Sequence, residues 1–406
     1  MFERFVANKF IPKGREGFSG PLVNIATCSI CLGIVVMIMS VCILQGFQSE
    51  FERKISGFGS HITVSHYELN NDYNGIPINI DHPSVTEILK IKGVNHLQPT
   101  SSKGGMIKTE EQIHGIIFKG VDMSYDTSFF ASNLQYGRLF QLNDSTPSNE
   151  IIISSTISKK IGIDTGDKVR TYFWQGNNYR ARAFKVVGIY NTDLTEFDEH
   201  YLIGDLQQLQ RINNWKKNEA SIWEILVDDF DQINPIANAV VEKLPYTLNA
   251  TTVIEQNMGL FSWLNLLNSN ITLIIIIMSL VCSIAIISAL LIMIFEKTST
   301  IGILKTLGAT NRSIVKIFLI RSAQIIAKGI VWGDVIALTL CLLQQHFHIV
   351  KLDKASYSME FVPIEMTFAT FIIISIGALA ICMLALLIPA SYISKIRPAE
   401  TIKIEQ

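Results

Sequence analysis

Four runs of sequence almost empty of charge constrain this chain more than anything else in it. They lie at residues 22–45, 271–295, 314–343 and 368–388. Together they hold only four charged side chains, Lys316, Arg321, Lys328 and Asp334, all in the third run. A bilayer core about 30 Å thick takes roughly 20 helical residues to cross. The first, second and fourth runs meet that length with no charge at all. In the second, the polar side chains are Ser and Thr, with one Cys. Ser and Thr bond back to their own helix and cost little in lipid. One such run would suit a buried core helix of a soluble protein; four point to membrane spans.

Composition agrees once it is divided by segment. Charged residues make up 17% of the chain, below the roughly 25% usual in soluble domains. The deficit sits in the four runs, and the remainder is charged like a soluble protein. Disordered, collagen-like and disulfide-scaffold classes are excluded. All six cysteines (Cys28, Cys31, Cys42, Cys282, Cys341, Cys382) fall inside the runs, so the rest has no disulfide staple. Cys28-x-x-Cys31 has a redox or zinc spacing. Within an apolar helix and without partner ligands, the pair reads as small packing residues. The first run exceeds the apolar region of a signal peptide, about 7–15 residues. It continues into Gln45-Gly46-Phe47-Gln48 rather than a small-x-small cleavage site, so an uncleaved anchor is expected.

Lys and Arg in short flanking segments set orientation. Residues 1–21 carry a net charge of +2, residues 296–313 +2 and the tail from 389 +1. The 344–367 loop is −1, and residues 46–270 are −7. The expected organisation follows. A cytoplasmic N-terminal segment (1–21) leads into transmembrane helix 1 (22–45) and an extracytoplasmic domain (46–262). Transmembrane helix 2 (263–295, with a stalk from about 257) is followed by a cytoplasmic loop (296–312) and helix 3 (313–343). An outer loop (344–367), helix 4 (368–388) and a cytoplasmic tail (389–406) complete the chain. The expected fold class is a membrane protein of four transmembrane α-helices, with a large α+β domain inserted between helices 1 and 2.

Within that domain, strand-like runs occur at 61–64, 113–119, 150–154, 168–174, 181–189 and 221–227. Helical patterns occur at 84–91, 157–161, 203–212 and 233–244, and 193–205 reads as an acidic loop. No Gly-x-Ser-x-Gly elbow, His-Glu-x-x-His or Gly-x-Gly-x-x-Gly after a strand is present. The eight histidines lie outside the runs, and His346-x-His348 reads as a solvated loop pair. No catalytic residue, metal site or bound cofactor is expected, and no nucleic-acid partner.

The 296–312 loop is the most informative stretch. Ile301, Leu304, Lys305 and Leu307 fit one side of a short helix, with Ile303 beside them. Gly308-Ala309 permits a tight turn, and Thr310 or Ser313 can cap the next helix. Composition leaves two roles open: lying in the headgroup layer, or inserting into a partner groove. In span 3, Arg321 and Lys328 stand two turns apart on one face, suited to snorkelling or to pairing with a partner subunit. Gly329-x-x-x-Gly333 with Ala337 forms a small-residue ridge for close helix packing, within one subunit or at a dimer contact.

These residues carry a resemblance. Glu296-Lys297 with Ile301-Gly302-Ile303-Leu304-Lys305-Thr306-Leu307-Gly308-Ala309-Thr310 resembles the coupling-helix signature of FtsX/MacB-type (type VII) ABC transporter permeases. Asn24-Ile25-Ala26, Leu32-Gly33, Gln45-Gly46-Phe47-Gln48-Ser49-Glu50-Phe51, Ile55-Ser56-Gly57 and His61-Ile62 are similar to the Lol-type lipoprotein-releasing subset. So are Gly120-Val121-Asp122, Gly137-Arg138 and the turn Gly162-Ile163-Asp164-Thr165-Gly166-Asp167. Pro389-Ala390 with Ile393-Ser394-Lys395-Ile396-Arg397-Pro398-Ala399-Glu400 resembles that family's C-terminal motif.

The resemblance implies a permease subunit in the inner membrane that transmits ATP-driven motion and extracts lipoproteins for outer-membrane sorting. A dimeric cytoplasmic ABC ATPase would dock on the 296–312 helix. Ile301, Leu304 and Leu307 would fill a groove, Glu296, Lys297 and Lys305 would make polar contacts at its rim, and Gly308 would turn the chain. ATP would reach the system only through that subunit, since this chain has no Gly-x-x-x-x-Gly-Lys-[Ser/Thr] loop. The other implied partners are a second permease copy or a paralogue, a lipoprotein substrate, a periplasmic carrier and the lipid bilayer. Met37, Val41, Leu44, Phe47 and Phe261 would offer acyl chains a cleft. Some Lol-type subunits capture the carrier with a long hairpin; here the matching place is a short turn, Trp174 to Tyr179. Two alternatives share the family: an FtsX-like mechanotransmitter that activates cell-wall hydrolases, and a MacB-like efflux subunit.

Overall fold

The computed structural model describes residues 19–67, 75–109, 112–175 and 178–390. The expected N-terminal segment through residue 18 and the tail from 391, with the motif at 393–400, lie outside them. Two compact units divide the chain. The first holds residues 19–49, 263–351 and 361–390 among those described; the second holds 50–262 and 352–360.

Among the described residues, four helices are long and apolar enough to cross a membrane. They are Ser19–Gly59, Met258–Glu296, Asn311–Phe347 and Phe368–Ala385. The first two hold 41 and 39 residues, about 60 Å each at 1.5 Å per residue and nearly twice a bilayer core. The first therefore continues well past residue 45, where its apolar run stops. Hydropathy marks the greasy part of a helix only. Beyond it, helix-forming Gln, Glu, Arg and Lys side chains carry the same backbone on, with an Arg53–Glu50 ion pair of 2.7 Å one turn apart.

Packing in the first unit depends on small residues, since apolar area gains nothing over lipid. Gly329 and Gly333 lie flat against the first span. A Cβ at Gly329 would stand 2.8 Å from Ile30 Cγ2, and one at Gly333 2.7 Å from Ile34 Cβ. Ile30, Ile34 and Ala337 are buried in one apolar core with Cys282, Ile286, Leu290 and Ile326. The small-residue ridge thus serves packing inside this chain. Asp334 lies round the helix from Lys328 and accepts hydrogen bonds from Ser375 Oγ at 2.9 and 3.1 Å. That contact pins the antiparallel third and fourth spans to one another.

The second unit is built on a mixed sheet, ten-stranded among the described residues. Its first strands are β1 (Ile62–His66), β2 (Ile78–Asn79), β3 (Val94–Lys108) and β4 (Ile113–Val121). Next come β5 (Leu134–Gly137), β6 (Glu150–Ser154), β7 (Lys168–Gln175) and β8 (Asn178–Tyr190). The last are β9 (Tyr201–Asp205), β10 (Glu219–Ala220), β11 (Ile222–Val227) and β12 (Leu248–Thr252). The order is β12-β1-β11-β3-β4-β9-β6-β8-β5, with β7 bridging β3 and β8, and β10 paired with β2 apart. β4–β9 and β6–β8 are parallel; the other pairs are antiparallel. The domain is α+β, as the mixture of sequence patterns implied.

Six of the strands coincide with the sequence runs. β3 does not: its fifteen residues include Pro99, Gly104 and Gly105, a composition that reads as loop. It is a strand because β11, β4 and β7 pair with it and bury its middle. The segment read as an acidic loop holds a short helix, Thr195–Asp198, and β9, whose Leu202 and Ile203 are fully buried. The helix expected from 203 begins at Leu206, where the Asp205 carboxylate accepts from Gln207 N at 2.8 Å and caps it.

Candidate functional site

The second span helix ends at Glu296, and a nine-residue helix, Thr298–Thr306, follows almost without pause. Lys297 N bonds Met293 O and Ile301 N bonds Lys297 O, so the backbone ladder bridges the bend. Thr298 Oγ1 donates to Ile294 O and Phe295 O, which satisfies carbonyls left open there. At the far end Gly308 takes a φ of +93°, a left-handed value that favours glycine. Gly308 N then bonds Lys305 O and Ala309 N bonds Leu304 O. Thr310, not Ser313, caps the third span helix, its hydroxyl accepting from Ser313 N.

Burial reverses part of the expected docking face. Ile301 is fully buried, in the same apolar core as Ile294, Ile314 and Phe318. It anchors the short helix to its own chain and is unavailable to a partner groove. Leu307 is 79% exposed and Ile303 54%. Four residues apart, these two share one side of the helix, turned away from Ile301. Leu304, Lys305 and Lys297 are half-buried, and Glu296 is exposed. The outward apolar pair is therefore Ile303 and Leu307. A short helix without a core of its own must press one apolar side chain beneath the adjoining spans, and periodicity alone does not say which.

The cleft expectation is likewise revised. Met37 and Leu44 are buried, and Phe47 is buried with its ring edge-on to Trp263 at 5.9 Å. Val41 is half-buried. Phe261 is half-buried and stacked on Phe230 at 5.9 Å. These side chains are packed rather than lining an open groove. The outward face of the second span helix instead carries Leu273, Ile276, Leu280 and Ile284, each more than half exposed.

One cluster has no sequence signature. Phe58, at the end of the first span helix, presents its carbonyl to Lys119 Nζ at 2.7 Å. The same ammonium pairs with Glu224 at 2.8 Å and stands 5.6 and 5.1 Å from the rings of Phe58 and Tyr125. Gln98 Nε2 donates to Glu224 at 3.1 Å, and Gln98 Oε1 accepts from Asp126 N. Lys119 on β4, Gln98 on β3 and Glu224 on β11 project from one face of adjacent strands. Burial pulls the Lys119 ammonium down, but Glu224 and Tyr125 outweigh it and hold the group above its usual value. Burial pushes the Tyr125 hydroxyl up to about 12. A helix C-terminus carries partial negative charge, and here a buried lysine caps it.

A second tie lies nearby in sequence. Lys54 Nζ donates to Ser358 O at 3.0 Å and approaches Asp193 at 4.0 Å. Lys354 pairs with Asp193 at 3.3 Å and with Glu360. The 352–360 segment of the expected outer loop thus belongs to the sheet unit.

Four membrane-crossing helices, a large mixed-sheet domain after the first and a capped helix between the second and third define a permease-type membrane subunit. Comparison with known families makes this specific. Residues 25–243 match the MacB-like periplasmic core domain, and residues 272–398 match the FtsX-like permease C-terminal family. The chain belongs to the FtsX/MacB-type permease family. It is 22% identical over 411 residues to the lipoprotein-releasing system transmembrane protein LolC of Xylella fastidiosa (strain Temecula1), covering 97% of this chain and 96% of that protein. It is 23% identical over 403 residues to the lipoprotein-releasing system transmembrane protein LolE of Haemophilus influenzae, covering 94% of each. The solved periplasmic region of MacB from Actinobacillus actinomycetemcomitans is similar over 50% of this chain and 95% of that one, at 14% identity and a TM-score of 0.36.

Proposed function

We propose that this chain is the membrane subunit of an ABC transporter that draws lipoproteins out of the inner membrane for outer-membrane sorting. Both termini and the 296–312 loop face the cytoplasm, and the sheet domain faces the periplasm. The observation that supports the reading most is the outward pair Ile303 and Leu307 on a helix fixed at both ends. It presents two apolar side chains to a cytoplasmic partner and has little freedom to lose on docking. The partner is a dimeric ATPase, which supplies the ATP chemistry. The unbroken helices Ser19–Gly59 and Met258–Glu296 carry its stroke as stiff rods. The similarity to LolC and LolE along nearly the whole chain supports lipoprotein as the cargo. A second permease, copy or paralogue, completes the transporter.

Depletion of the chain in cells tests the cargo. Lipoproteins destined for the outer membrane should accumulate in the inner-membrane fraction within one doubling. Normal lipoprotein sorting with failed cell separation would instead assign the chain to the activation of cell-wall hydrolases.

A further inference from the structure

We propose that Arg321 and Lys328 hold the phosphate of an anionic phospholipid in the leaflet bordering the 296–312 loop. The site rests on the orientation proposed above only for which leaflet it faces. Depth comes from the third and fourth spans. The Asp334–Ser375 hydrogen bonds set these antiparallel helices in register. Counting thirteen residues from each partner places Arg321 level with Ile388, the last residue of the fourth apolar run. Arg321 therefore stands at the edge of the hydrocarbon core, and Lys328 about 10 Å further in at 1.5 Å per residue.

Lys328 is exposed on the helix surface and makes no hydrogen bond or ion pair among the described residues. An ammonium facing hydrocarbon at that depth is costly unless it reaches a counter-charge. Helix direction provides the reach. Side chains tilt toward the helix N-terminus, here Asn311, on the side of the 296–312 loop. A lysine some 6 Å long thus snorkels back toward the level of Arg321. Arg321 is half-buried and uses one N–H on Gln324 Oε1 at 3.1 Å. A guanidinium has five donors in a fork that fits phosphate. Deeper along the same side, Val331, Trp332 and Val335 are 60%, 61% and 50% exposed, an apolar strip where acyl chains would lie. Two cations at the headgroup level below an apolar strip match an anionic lipid in both charge and shape.

The test uses the full chain, purified with its partner subunits in detergent and stripped of lipid. Phosphatidylglycerol and phosphatidylcholine with identical chains are added in equal amounts, and retained lipid is counted by native mass spectrometry. The wild type should prefer phosphatidylglycerol roughly twentyfold, about fivefold from each cation. Arg321→Gln and Lys328→Met should each lose about fivefold, the double variant should lose the preference, and Lys328→Arg should keep it. Equal retention of the two lipids by the wild type overturns the proposal, as does an undiminished preference in the double variant. Cross-linking of Lys328→Cys to a second permease, without lipid selectivity, would give the face to a protein instead. Binding in detergent is independent of orientation. An error in the orientation alone would appear as labelling of Lys305→Cys from the periplasmic side.

Discussion

A single residue, Lys119, fixes the sheet to Phe58, which lies in the same unit at the end of the first helix. Lys119 satisfies a helix-end carbonyl and a buried carboxylate together. Lys119→Met leaves Glu224 charged inside the domain with only the Gln98 hydrogen bond and no cation, and removing one partner of such a pair costs about 3–5 kcal/mol. Urea unfolding of the detergent-solubilised chain should show that loss, and Lys119→Met with Glu224→Leu should recover much of it. A single variant as stable as wild type would show the pair to be solvated. Asp198 offers a pH test. Burial raises its carboxyl to about 6 although Thr192 N and Oγ1 donate to it at 3.0 and 2.8 Å. The folded state thus binds this proton more tightly than the unfolded state, where the group titrates near 3.8. Its contribution is complete below about pH 4 and is lost as pH rises through about 6. Asp198→Asn should therefore gain on wild type between pH 4 and 7, by about 3 kcal/mol for two pH units. An identical stability difference at both pH values would contradict this.

Elements explain what the sequence could and could not disclose. The spans were legible because lipid imposes one rule, absence of charge over about 20 residues, and three of them obey it fully. Helix ends were not, because polar helix after residue 45 leaves no hydropathy mark. Strands with alternating or β-branched residues, such as 150–154 and 222–227, were visible. β3 was hidden because its neighbours, not its own Pro and Gly content, make it a strand. In the short helix Thr298–Thr306 the apolar residues were found but their facing was not. With Ile301 and Ile303 at opposite edges of an arc of about 160° and Leu304 and Leu307 between them, only packing selects the buried one. The long second helix depends on an unbroken backbone ladder. Ser269→Pro, eleven residues inside it, should cost about 3 kcal/mol of helix and kink it. ATP hydrolysis by the complex should persist while lipoprotein release falls at least tenfold. Equal loss of both would mean that the helix only supports the fold.

The whole molecule combines four spans that hold four charged side chains between them with a domain charged like an ordinary soluble protein. The chain's overall charge of −1 conceals a −7 region between the first two spans and net positive segments at 1–21, at 296–313 and from 389. That division supports the orientation, and the family supports the task. On the proposed function, force enters through the exposed pair on the 296–312 helix. This is tested most directly by retrieving the tagged chain from membranes and quantifying the ATPase that accompanies it. Leu307→Glu should reduce the ATPase recovered by roughly thirtyfold, the value of one buried leucine, with the chain still inserted and its sheet domain folded. Recovery of the ATPase at the wild-type level from Leu307→Glu membranes, and again from Ile303→Glu, would contradict the account.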